Sequence, residues 1–404
     1  MIPFSPPRID DKICNEVVAA LKSGWITTGP RTKNFEKKIT EYCGNKATIC
    51  LNSATAGLEI MLRWYGVGEG DEVILPAYTY CATANVVIHC GATPVFVDVN
   101  ADDFNINLKK IEEAITPSTK VIMPVDFGGM PCDYEGIKRI VITRENIFIP
   151  DNEIQKKLGR ILILSDSAHS FGASVSGKKA GALCDVSVFS FHAVKNLSTA
   201  EGGAVALNFD ESIFNNEEIY KHLCVYTLHG QNKDALAKTQ KGNWKYDVVE
   251  AGYKCNMTDI SAAIGLVELE RYDEDTQVKR KHIADTYHSL LKTDSRFELP
   301  LFEDDKRKSS YHLYPLRIKG ITEVQRDEII KEIFNRDVSV NVHFIPVPAM
   351  TFYKKMGYDM LKYKTTYDNF SREITLPIFY DLTDLQIKTV VNAVIDSVKS
   401  VIEK

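Results

Sequence analysis

The stretch that decides the fold is Ser190-Phe191-His192-Ala193-Val194-Lys195-Asn196-Leu197-Ser198-Thr199-Ala200-Glu201-Gly202-Gly203. It closes an apolar run of strand length, and an earlier apolar run ends at Asp166-Ser167-Ala168-His169. Ligand sites in open parallel sheets gather at the carboxyl ends of strands, so Asp166 and Lys195 are expected to face one site. The paired glycines let the backbone pass close to a ligand there.

These two residues supply what pyridoxal phosphate (PLP) needs from a protein. The Lys195 amine can bond covalently to the cofactor aldehyde and, once displaced by a donor amine, can move a proton on the substrate. The Asp166 carboxylate can hold a proton on the pyridine nitrogen, so that the ring accepts electrons. The ordinary alternatives are a solvated surface lysine and an aspartate that caps a helix. We predict that PLP is the cofactor, with Lys195 and Asp166 as catalytic residues.

Short apolar runs alternate with helical patterns over residues 1–250, which is typical of a mostly parallel sheet covered by helices on both faces. The predicted strands are Ala47–Leu51, Glu72–Leu75, Thr93–Val97, Val121–Val125, Ile161–Ser165, Val186–Ser190 and Gly203–Leu207. We predict an α/β fold with a large domain over 1–250 and a smaller C-terminal α+β domain over 251–404. In the smaller domain the pattern predicts a long helix over 258–290, strands over 312–318 and 338–344, and helices over 323–334 and from 383.

The composition argues against several classes of partner. The 404 residues carry a net charge of −5 with both signs interspersed, and no basic stripe suits a nucleic acid. No long apolar run suggests a membrane span, and the N-terminus lacks the pattern of a signal peptide. The nine cysteines are scattered without a Cys-x-x-Cys pair, so we expect reduced thiols, a cytoplasmic location and no metal site.

Further residues are candidates for holding the cofactor phosphate. Ala54 and Thr55 begin a helix among small residues, and the N–H groups and dipole at such an end favour an anion. Ser190 precedes the lysine turn and could donate its hydroxyl to the same phosphate. Most helix ends of this kind are merely capped, so the prediction depends on Lys195 and Asp166.

The cofactor ring also has candidate neighbours. Tyr78 and Tyr80 follow a predicted strand, where an aromatic side chain could stack on the pyridine ring or pack in the core. His169 lies three residues after Asp166 and could orient that carboxylate, face the ring, or be a half-buried packing residue.

The motifs, in this order, resemble those of the DegT/DnrJ/EryC1/StrS family of sugar-nucleotide aminotransferases. The matching segments are Ser23-Gly24-Trp25-Ile26-Thr27-Thr28-Gly29-Pro30, Ser53-Ala54-Thr55-Ala56, Gly91-Ala92-Thr93-Pro94-Val95-Phe96-Val97-Asp98, Asp166-Ser167-Ala168-His169, the lysine stretch, Gly252-Tyr253-Lys254-Cys255-Asn256-Met257-Thr258-Asp259-Ile260, Val342-His343-Phe344 and Leu376-Pro377-Ile378-Phe379. They span nearly the whole chain. The resemblance implies the PLP-dependent fold type I, which is the fold of aspartate aminotransferase.

The resemblance also implies an activity. Family members move the amino group of L-glutamate to a keto carbon of a nucleotide-linked sugar, by a ping-pong route through pyridoxamine phosphate. The motifs look most like those of the C4 aminotransferases of UDP-linked 4-keto sugars, such as the enzyme making UDP-4-amino-4-deoxy-L-arabinose. The enzyme of the pseudaminic acid pathway is a close second. A homodimer with shared active sites is implied as well.

The resemblance assigns site residues one by one. Lys195 would bond to the cofactor, Asp166 would pair with the pyridine nitrogen, and Tyr80 rather than Tyr78 would stack on the ring. The phosphate would be held by Ala54, Thr55 and Ser190, and, through a point charge, by Lys254. The substrate would lie near Trp25, Ile26, Thr27, His312, Tyr314 and His343. The segment 252–259 would reach into the neighbouring subunit's site.

Other readings remain open at this point. A C3 aminotransferase for TDP-linked keto sugars fits the same motifs. A PLP-dependent sugar dehydratase of this fold would place a histidine where Lys195 stands, and a catalytically silent regulatory scaffold would have lost Lys195 or Asp166. An insertion of about fifteen residues over 143–159, judged against ordinary loop lengths, is expected to carry a short helix at Asp151–Leu158.

Overall fold

The computed structural model describes residues 1–232 and 245–403. Its central sheet has seven strands, of which only one runs antiparallel to the rest. In spatial order the strands are β1 (Ala47–Leu51), β9 (Gly203–Leu207), β8 (Val186–Ser190), β5 (Leu162–Asp166), β4 (Thr119–Ile122), β2 (Glu72–Pro76) and β3 (Thr93–Val97). The antiparallel strand is β9, which lies between β1 and β8. The predicted α/β fold with a mainly parallel sheet is therefore confirmed.

The strands are buried along their length because helices cover both faces, which explains their continuous apolar sequences. Among the described residues, the helices of this part are α1 (Asp11–Ser23), α2 (Pro30–Cys43), α3 (Ala54–Trp64), α4 (Cys81–His89), α5 (Leu108–Ala114), α6 (Tyr134–Thr143), α7 (Glu153–Leu158), α8 (Asn216–Tyr226) and α9 (Asp259–Glu270). Short 3₁₀ turns occur at Phe127–Gly129 and Glu145–Ile147. Helix α7 is the short helix expected in the insertion.

Strand β4 begins and ends earlier than predicted, at Thr119–Ile122 instead of Val121–Val125. Pro124 has no N–H to donate to a neighbouring strand, so the regular pairing ends before it.

The C-terminal part forms a second, smaller layer. An antiparallel sheet of β10 (Phe297–Glu298), β12 (Tyr314–Ile318) and β13 (Glu373–Leu376) packs with α10 (Gln277–Leu291), α11 (Glu323–Phe334) and α14 (Asp384–Ile402). The remaining elements are β6 (Ser174–Val175), β7 (Lys178–Lys179), β11 (Arg307–Lys308), α12 (Thr351–Lys355), α13 (Lys364–Arg372) and 3₁₀ turns at Val347–Ala349 and Met360–Lys362. Capping boxes at Thr322 and Thr383, each with glutamine three residues later, start α11 and α14.

Two predicted elements of this part were wrong. The helix predicted over 258–290 is divided, because a π-helical turn at Tyr272–Thr276 separates α9 from α10. Tyr272 is fully buried there and donates its hydroxyl to the carbonyl of Phe171, which fixes the interruption. The segment 338–344 forms only isolated bridges, at Val338 and Asn341, instead of a strand.

The domain boundary predicted at residue 250 stays a prediction. Helix α9, which follows it, packs against α1 and α2 of the large layer. Tyr272 belongs to the hydrophobic core around the central sheet, whereas residues from Ile283 onward build the core of the smaller layer.

Candidate active site

A cavity of about 360 Å³ lies at the carboxyl edge of the central sheet. Residues of the central-sheet part and of the smaller C-terminal part line it together. Nine of the predicted site residues line it, namely Ala54, Thr55, Tyr80, Asp166, His169, Ser190, Lys195, His312 and His343. They come from strand ends, helix starts and loops that are far apart in sequence. The fold thus brings the two predicted catalytic residues and most of the predicted binding residues into one place.

Asp166 ends β5, is buried and lines this cavity. Its Oδ2 accepts a hydrogen bond from the Thr83 hydroxyl at 2.7 Å, and its Oδ1 accepts one from the Ala168 N–H at 3.2 Å. Burial raises the pKa of Asp166, while these two hydrogen bonds and the charge of Lys195 oppose that rise. Thr83 was not among the predicted residues, although it holds one side of the carboxylate.

Lys195 is half-buried on a tight loop between β8 and β9. The loop is closed by hydrogen bonds from the Lys195 N–H to the carbonyl of His192 and from the Phe191 N–H to the carbonyl of Gly202. Burial lowers the pKa of Lys195 to about 8, and the negative charge of Asp166 works against the decrease. A substantial fraction of the amine is therefore neutral near physiological pH, as a nucleophile and proton carrier requires.

The start of α3 forms a second wall of the cavity. The Ser53 hydroxyl caps the helix by accepting from the Ala56 N–H at 3.1 Å. Gly203 of β9 lies against this turn so closely that an added Cβ would be 2.5 Å from the Ser53 carbonyl carbon. The glycine pair therefore lets the sheet approach the helix end, where N–H groups and the helix dipole favour an anion beside Ser190.

Three histidines form the opposite side of the cavity. His169 and His312 lie with ring centroids 4.4 Å apart, and Phe344 stacks beside His169 at 5.8 Å. The Nδ1 atom of His169 accepts from the Gly128 N–H at 3.3 Å. Burial holds the pKa of His169 and of His312 well below the ordinary value, and the positive charge of Lys195 adds to the decrease. Both imidazoles are therefore neutral.

His343 is connected to a buried carboxyl group. Its ring Nδ1 lies 2.9 Å from the Thr375 hydroxyl, which in turn donates to the Glu373 carboxyl group. The backbone N–H of His343 donates to the same carboxyl group at 3.1 Å. Burial lowers the pKa of His343 to about 3 and raises the pKa of Glu373 to about 8. Phe4 stacks on His343 with ring centroids 5.5 Å apart and also lines the cavity.

Tyr80 lines the mouth of the cavity and is 58% exposed, with Phe344 at 5.7 Å. Tyr78 instead is fully buried and packs between Phe104 and Phe127. Of the two candidate aromatics, only Tyr80 can reach a ligand in this cavity.

Tyr314 does not reach the cavity. It is fully buried in the core of the smaller layer, where its ring lies 5.0 Å from Tyr287 and 5.6 Å from Phe302. Tyr311 adopts a left-handed backbone conformation with φ of 55°, and regular strand pairing begins only at Tyr314. The alternation that would place His312 and Tyr314 on one face is therefore broken. Tyr314 is therefore not among the residues that line the cavity, and its predicted place near the substrate stays a prediction.

Trp25, Ile26, Thr27 and Lys254 also lie outside the cavity of their own chain. Ile26 is 52% exposed, and the Lys254 amine lies beside the Asn256 side chain at the surface. The two segments that carry these residues are joined, because Asn256 donates to the Thr28 hydroxyl at 2.5 Å and that hydroxyl donates to the Met257 carbonyl at 2.5 Å.

Asp259 also connects these two segments of the chain. Its carboxylate accepts from the N–H groups of Gly29, Arg31 and Thr32, at 2.8, 3.0 and 2.9 Å. It also accepts from the Thr32 hydroxyl at 2.7 Å. A residue at the start of α9 thereby caps the N-terminus of α2 and holds the preceding segment 25–28 in place.

Several residues of the site were missed by the sequence reasoning. Phe4, Thr375 and Glu373 come from segments without a distinctive local pattern, whereas Phe344 directly follows His343 in one of the matching segments. Asn196 could have been predicted as a site residue, since it directly follows Lys195. Thr83 could not have been predicted, because a threonine in the first turns of a helix is common and its partner is unknown from the sequence.

The arrangement fits PLP. A carboxylate stands at a strand end, an amine with lowered pKa faces the same cavity, and a helix N-terminus with a nearby serine hydroxyl can take a phosphate. When bound, PLP supplies an electron sink for a carbanion on the substrate. Asp166 would hold the proton of the ring nitrogen, and Lys195 would exchange a proton with the substrate carbon.

Known proteins match over the whole chain. Residues 7–395 match the DegT/DnrJ/EryC1/StrS aminotransferase family. The spore coat polysaccharide biosynthesis protein SpsC of Bacillus subtilis is 35% identical over 404 residues, covering 98% of this chain and 97% of SpsC. Spr1654 of Streptococcus pneumoniae, assigned as a sugar aminotransferase and solved in its PMP-form, is 44% identical with a TM-score of 0.96 over all of both chains.

A more distant structure extends the comparison. Helicobacter pylori PseC, an aminotransferase involved in the biosynthesis of pseudoaminic acid, is 27% identical with a TM-score of 0.86 over 99% of each chain. Within the described part of this chain, no helix has the length and apolarity that crossing a membrane requires. The chain therefore belongs to the DegT/DnrJ/EryC1/StrS aminotransferase family, and it is a PLP-dependent sugar aminotransferase.

Proposed function

We propose that this enzyme transfers the amino group of L-glutamate to C4 of a UDP-linked 4-keto sugar. The observation that carries the proposal is the composition of the cavity, where Lys195 and Asp166 face three neutral histidines and the hydroxyls of Ser53, Thr55 and Ser190. Such uncharged polar groups suit the hydroxyls of a sugar. The motifs around Lys195 and Lys254 support the C4 position. PseC, which is 27% identical to this chain, is an aminotransferase involved in the biosynthesis of pseudoaminic acid.

We place a second copy of the chain over the cavity mouth. Ile26, Thr27 and Lys254 are exposed, Trp25 beside them is half-buried, and none of the four lines the cavity of its own chain. In a homodimer with shared sites, these residues would face the partner's cavity, and Lys254 would add a positive charge near the phosphate there. A loss of activity in Lys254→Ala that is restored by mixing with Lys195→Ala subunits would support this arrangement, since each hybrid dimer holds one complete site.

We also propose a cytoplasmic location. All nine cysteines are free, and six of them are buried. Thiols persist in a reducing compartment, which favours the cytoplasm.

The experiment is a spectroscopic separation of the two half-reactions. Addition of L-glutamate to the PLP-loaded enzyme should bleach its visible absorbance, and one sugar among UDP- and TDP-linked 3-keto and 4-keto sugars should restore it. Recovery with a UDP-linked 4-keto sugar supports the proposal, whereas recovery only with a TDP-linked 3-keto sugar replaces it by the C3 alternative. If L-glutamate leaves the spectrum unchanged, the assigned donor is wrong.

The lysine assignment has its own control. Borohydride should attach the cofactor permanently to one lysine, and peptide mapping should identify it as Lys195. The Lys195→Ala variant should lose transamination by several orders of magnitude, because its nucleophilic and proton-transfer roles disappear together. Attachment to another lysine would contradict the assignment.

A further inference from the structure

Asn196, the residue after Lys195, joins the lysine loop to the smaller layer. Its side chain is buried, and its Nδ2 donates to the Ser310 carbonyl at 2.7 Å. Its Oδ1 lies 2.8 Å from Nδ1 of His312. A backbone carbonyl can only accept, so the amide group of Asn196 has one possible orientation. The oxygen therefore faces His312, and Nδ1 of that imidazole must carry the proton.

His312 is held firmly in this orientation. Its backbone N–H donates to the Gly128 carbonyl at 3.1 Å, and its own carbonyl accepts from Arg280 at 2.6 Å. The ring is 5% exposed and lines the cavity that contains Lys195. A neutral imidazole with a proton on Nδ1 has a lone pair on Nε2. Among residues 1–232 and 245–403, none forms a hydrogen bond with that nitrogen.

We infer that Asn196 is a positioning residue, which fixes His312 as a neutral imidazole whose Nε2 accepts a hydrogen bond from a sugar hydroxyl beside the reacting keto carbon. The inference rests on the proposed function and specifies its substrate: the acceptor sugar carries a free hydroxyl next to the carbonyl.

The chemistry of the two substrates explains why the sugar, rather than the amino donor, uses this nitrogen. The carboxylates of L-glutamate only accept hydrogen bonds, so an imidazole lone pair does not bind them. A hydroxyl donates, and leaving this nitrogen without a donor would be costly once a bound ligand covers it. His312 therefore distinguishes the two half-reactions, which proceed in the same cavity with the same lysine.

The test compares both half-reactions in Asn196→Leu, which keeps the side-chain size and removes both hydrogen bonds. The probes are L-glutamate, UDP-4-keto-6-deoxyhexose and the 3-deoxy analogue of that sugar. In the wild-type enzyme, we expect the sugar to react about tenfold faster than its 3-deoxy analogue, the effect of one hydrogen bond. In Asn196→Leu this preference should vanish, and the reaction of the sugar should slow about tenfold more than bleaching by L-glutamate does. The exposed Asn335→Leu should behave as wild type in all three reactions.

A second pair of variants keeps the test decisive if Asn196→Leu does not fold. His312→Gln retains an amide oxygen that can accept from the sugar, whereas His312→Phe keeps a ring without an acceptor. We expect His312→Gln to retain part of the preference for the hydroxyl and His312→Phe to lose it. In addition, ¹⁵N NMR of histidine-labelled enzyme without cofactor should show His312 with Nδ1 protonated and Nε2 unprotonated.

The outcomes separate the inference from the proposed function. Equal slowing of both half-reactions in Asn196→Leu would indicate a structural role or a contact of His312 with Lys195, and would overturn the inference. So would a preserved preference for the hydroxylated sugar, or a proton on Nε2 of His312. If the wild-type enzyme accepts none of the UDP- and TDP-linked keto sugars, the proposed function fails and the inference falls with it.

Discussion

Thr83 donates its hydroxyl to Asp166, with 2.7 Å between Oγ1 and Oδ2, and both side chains are buried. The Thr83 oxygen lies 2.8 Å from the hydroxyl of Thr79, so a short chain of hydroxyls supports the carboxylate. This support matters because burial alone would favour the protonated carboxyl group, which cannot stabilise a positive charge on the pyridine nitrogen. The donor lowers the pKa of Asp166 and keeps the charge available.

Thr83→Val should weaken both cofactor binding and turnover. The valine side chain has nearly the same shape, so the change removes one hydrogen bond to an ionised group and little else. We expect PLP to bind about tenfold more weakly, measured by absorbance titration, together with a comparable loss in turnover. Thr83→Ser retains the hydroxyl and should remain within about threefold of wild type. Unchanged PLP affinity in Thr83→Val would show that the Ala168 N–H suffices.

The same pair of residues shows how far sequence reasoning reaches. Asp166 and Lys195 could be predicted, because each follows an apolar strand and the carboxyl edge of a parallel sheet gathers such residues. Thr83 could not, since its role exists only through a contact across 83 positions of sequence. The burial of Tyr314 away from the cavity could not be predicted for a related reason. Tyr311 has a left-handed backbone conformation just before β12 begins, and no apolar pattern in the sequence marks that position.

Capture of PLP by the enzyme without cofactor should depend on pH through Lys195. The pKa of this amine is about 8, and only its neutral form attacks an aldehyde, so the rate should rise with pH and level off above about 8. The negative charge of Asp166 raises the pKa of Lys195, and its removal in Asp166→Asn should therefore move the midpoint to lower pH. Stopped-flow absorbance between pH 6 and 9.5 measures both. A midpoint near the ordinary lysine value would contradict the burial of the amine.

Gly203→Ala should disturb the phosphate end of the site. Its new methyl group would lie 2.5 Å from the Ser53 carbonyl carbon and 2.8 Å from the Ser53 oxygen, and these are backbone atoms that cannot swing away. We expect a loss of about 1–3 kcal/mol in the free energy of unfolding, together with weaker PLP binding, because the start of α3 must move. Gly68→Ala, whose added methyl group meets nothing within 4 Å, is the matched control and should change stability by less than about 0.5 kcal/mol. Equal stability of the two variants would mean that β9 and α3 separate without cost.

Asp259 is the residue whose removal should separate the surface segment 25–28 from the rest of the chain. It is fully buried and accepts three backbone N–H groups at the start of α2 as well as the Thr32 hydroxyl. Asp259→Ala leaves these buried donors without an acceptor and should cost about 2–4 kcal/mol in the free energy of unfolding. Asp259→Asn keeps one oxygen and should cost about half as much.

The consequence for activity tests the shared-site arrangement as well as the packing. If segment 25–28 contributes to the partner's cavity, Asp259→Asn should lower turnover of the sugar more than bleaching by L-glutamate, at a temperature where the variant is fully folded. Glu274→Gln changes an exposed acidic residue near the same helices and should alter neither stability nor rate. An Asp259→Ala variant as stable as Glu274→Gln would contradict the capping role, because four donors would then have lost a buried acceptor at no cost.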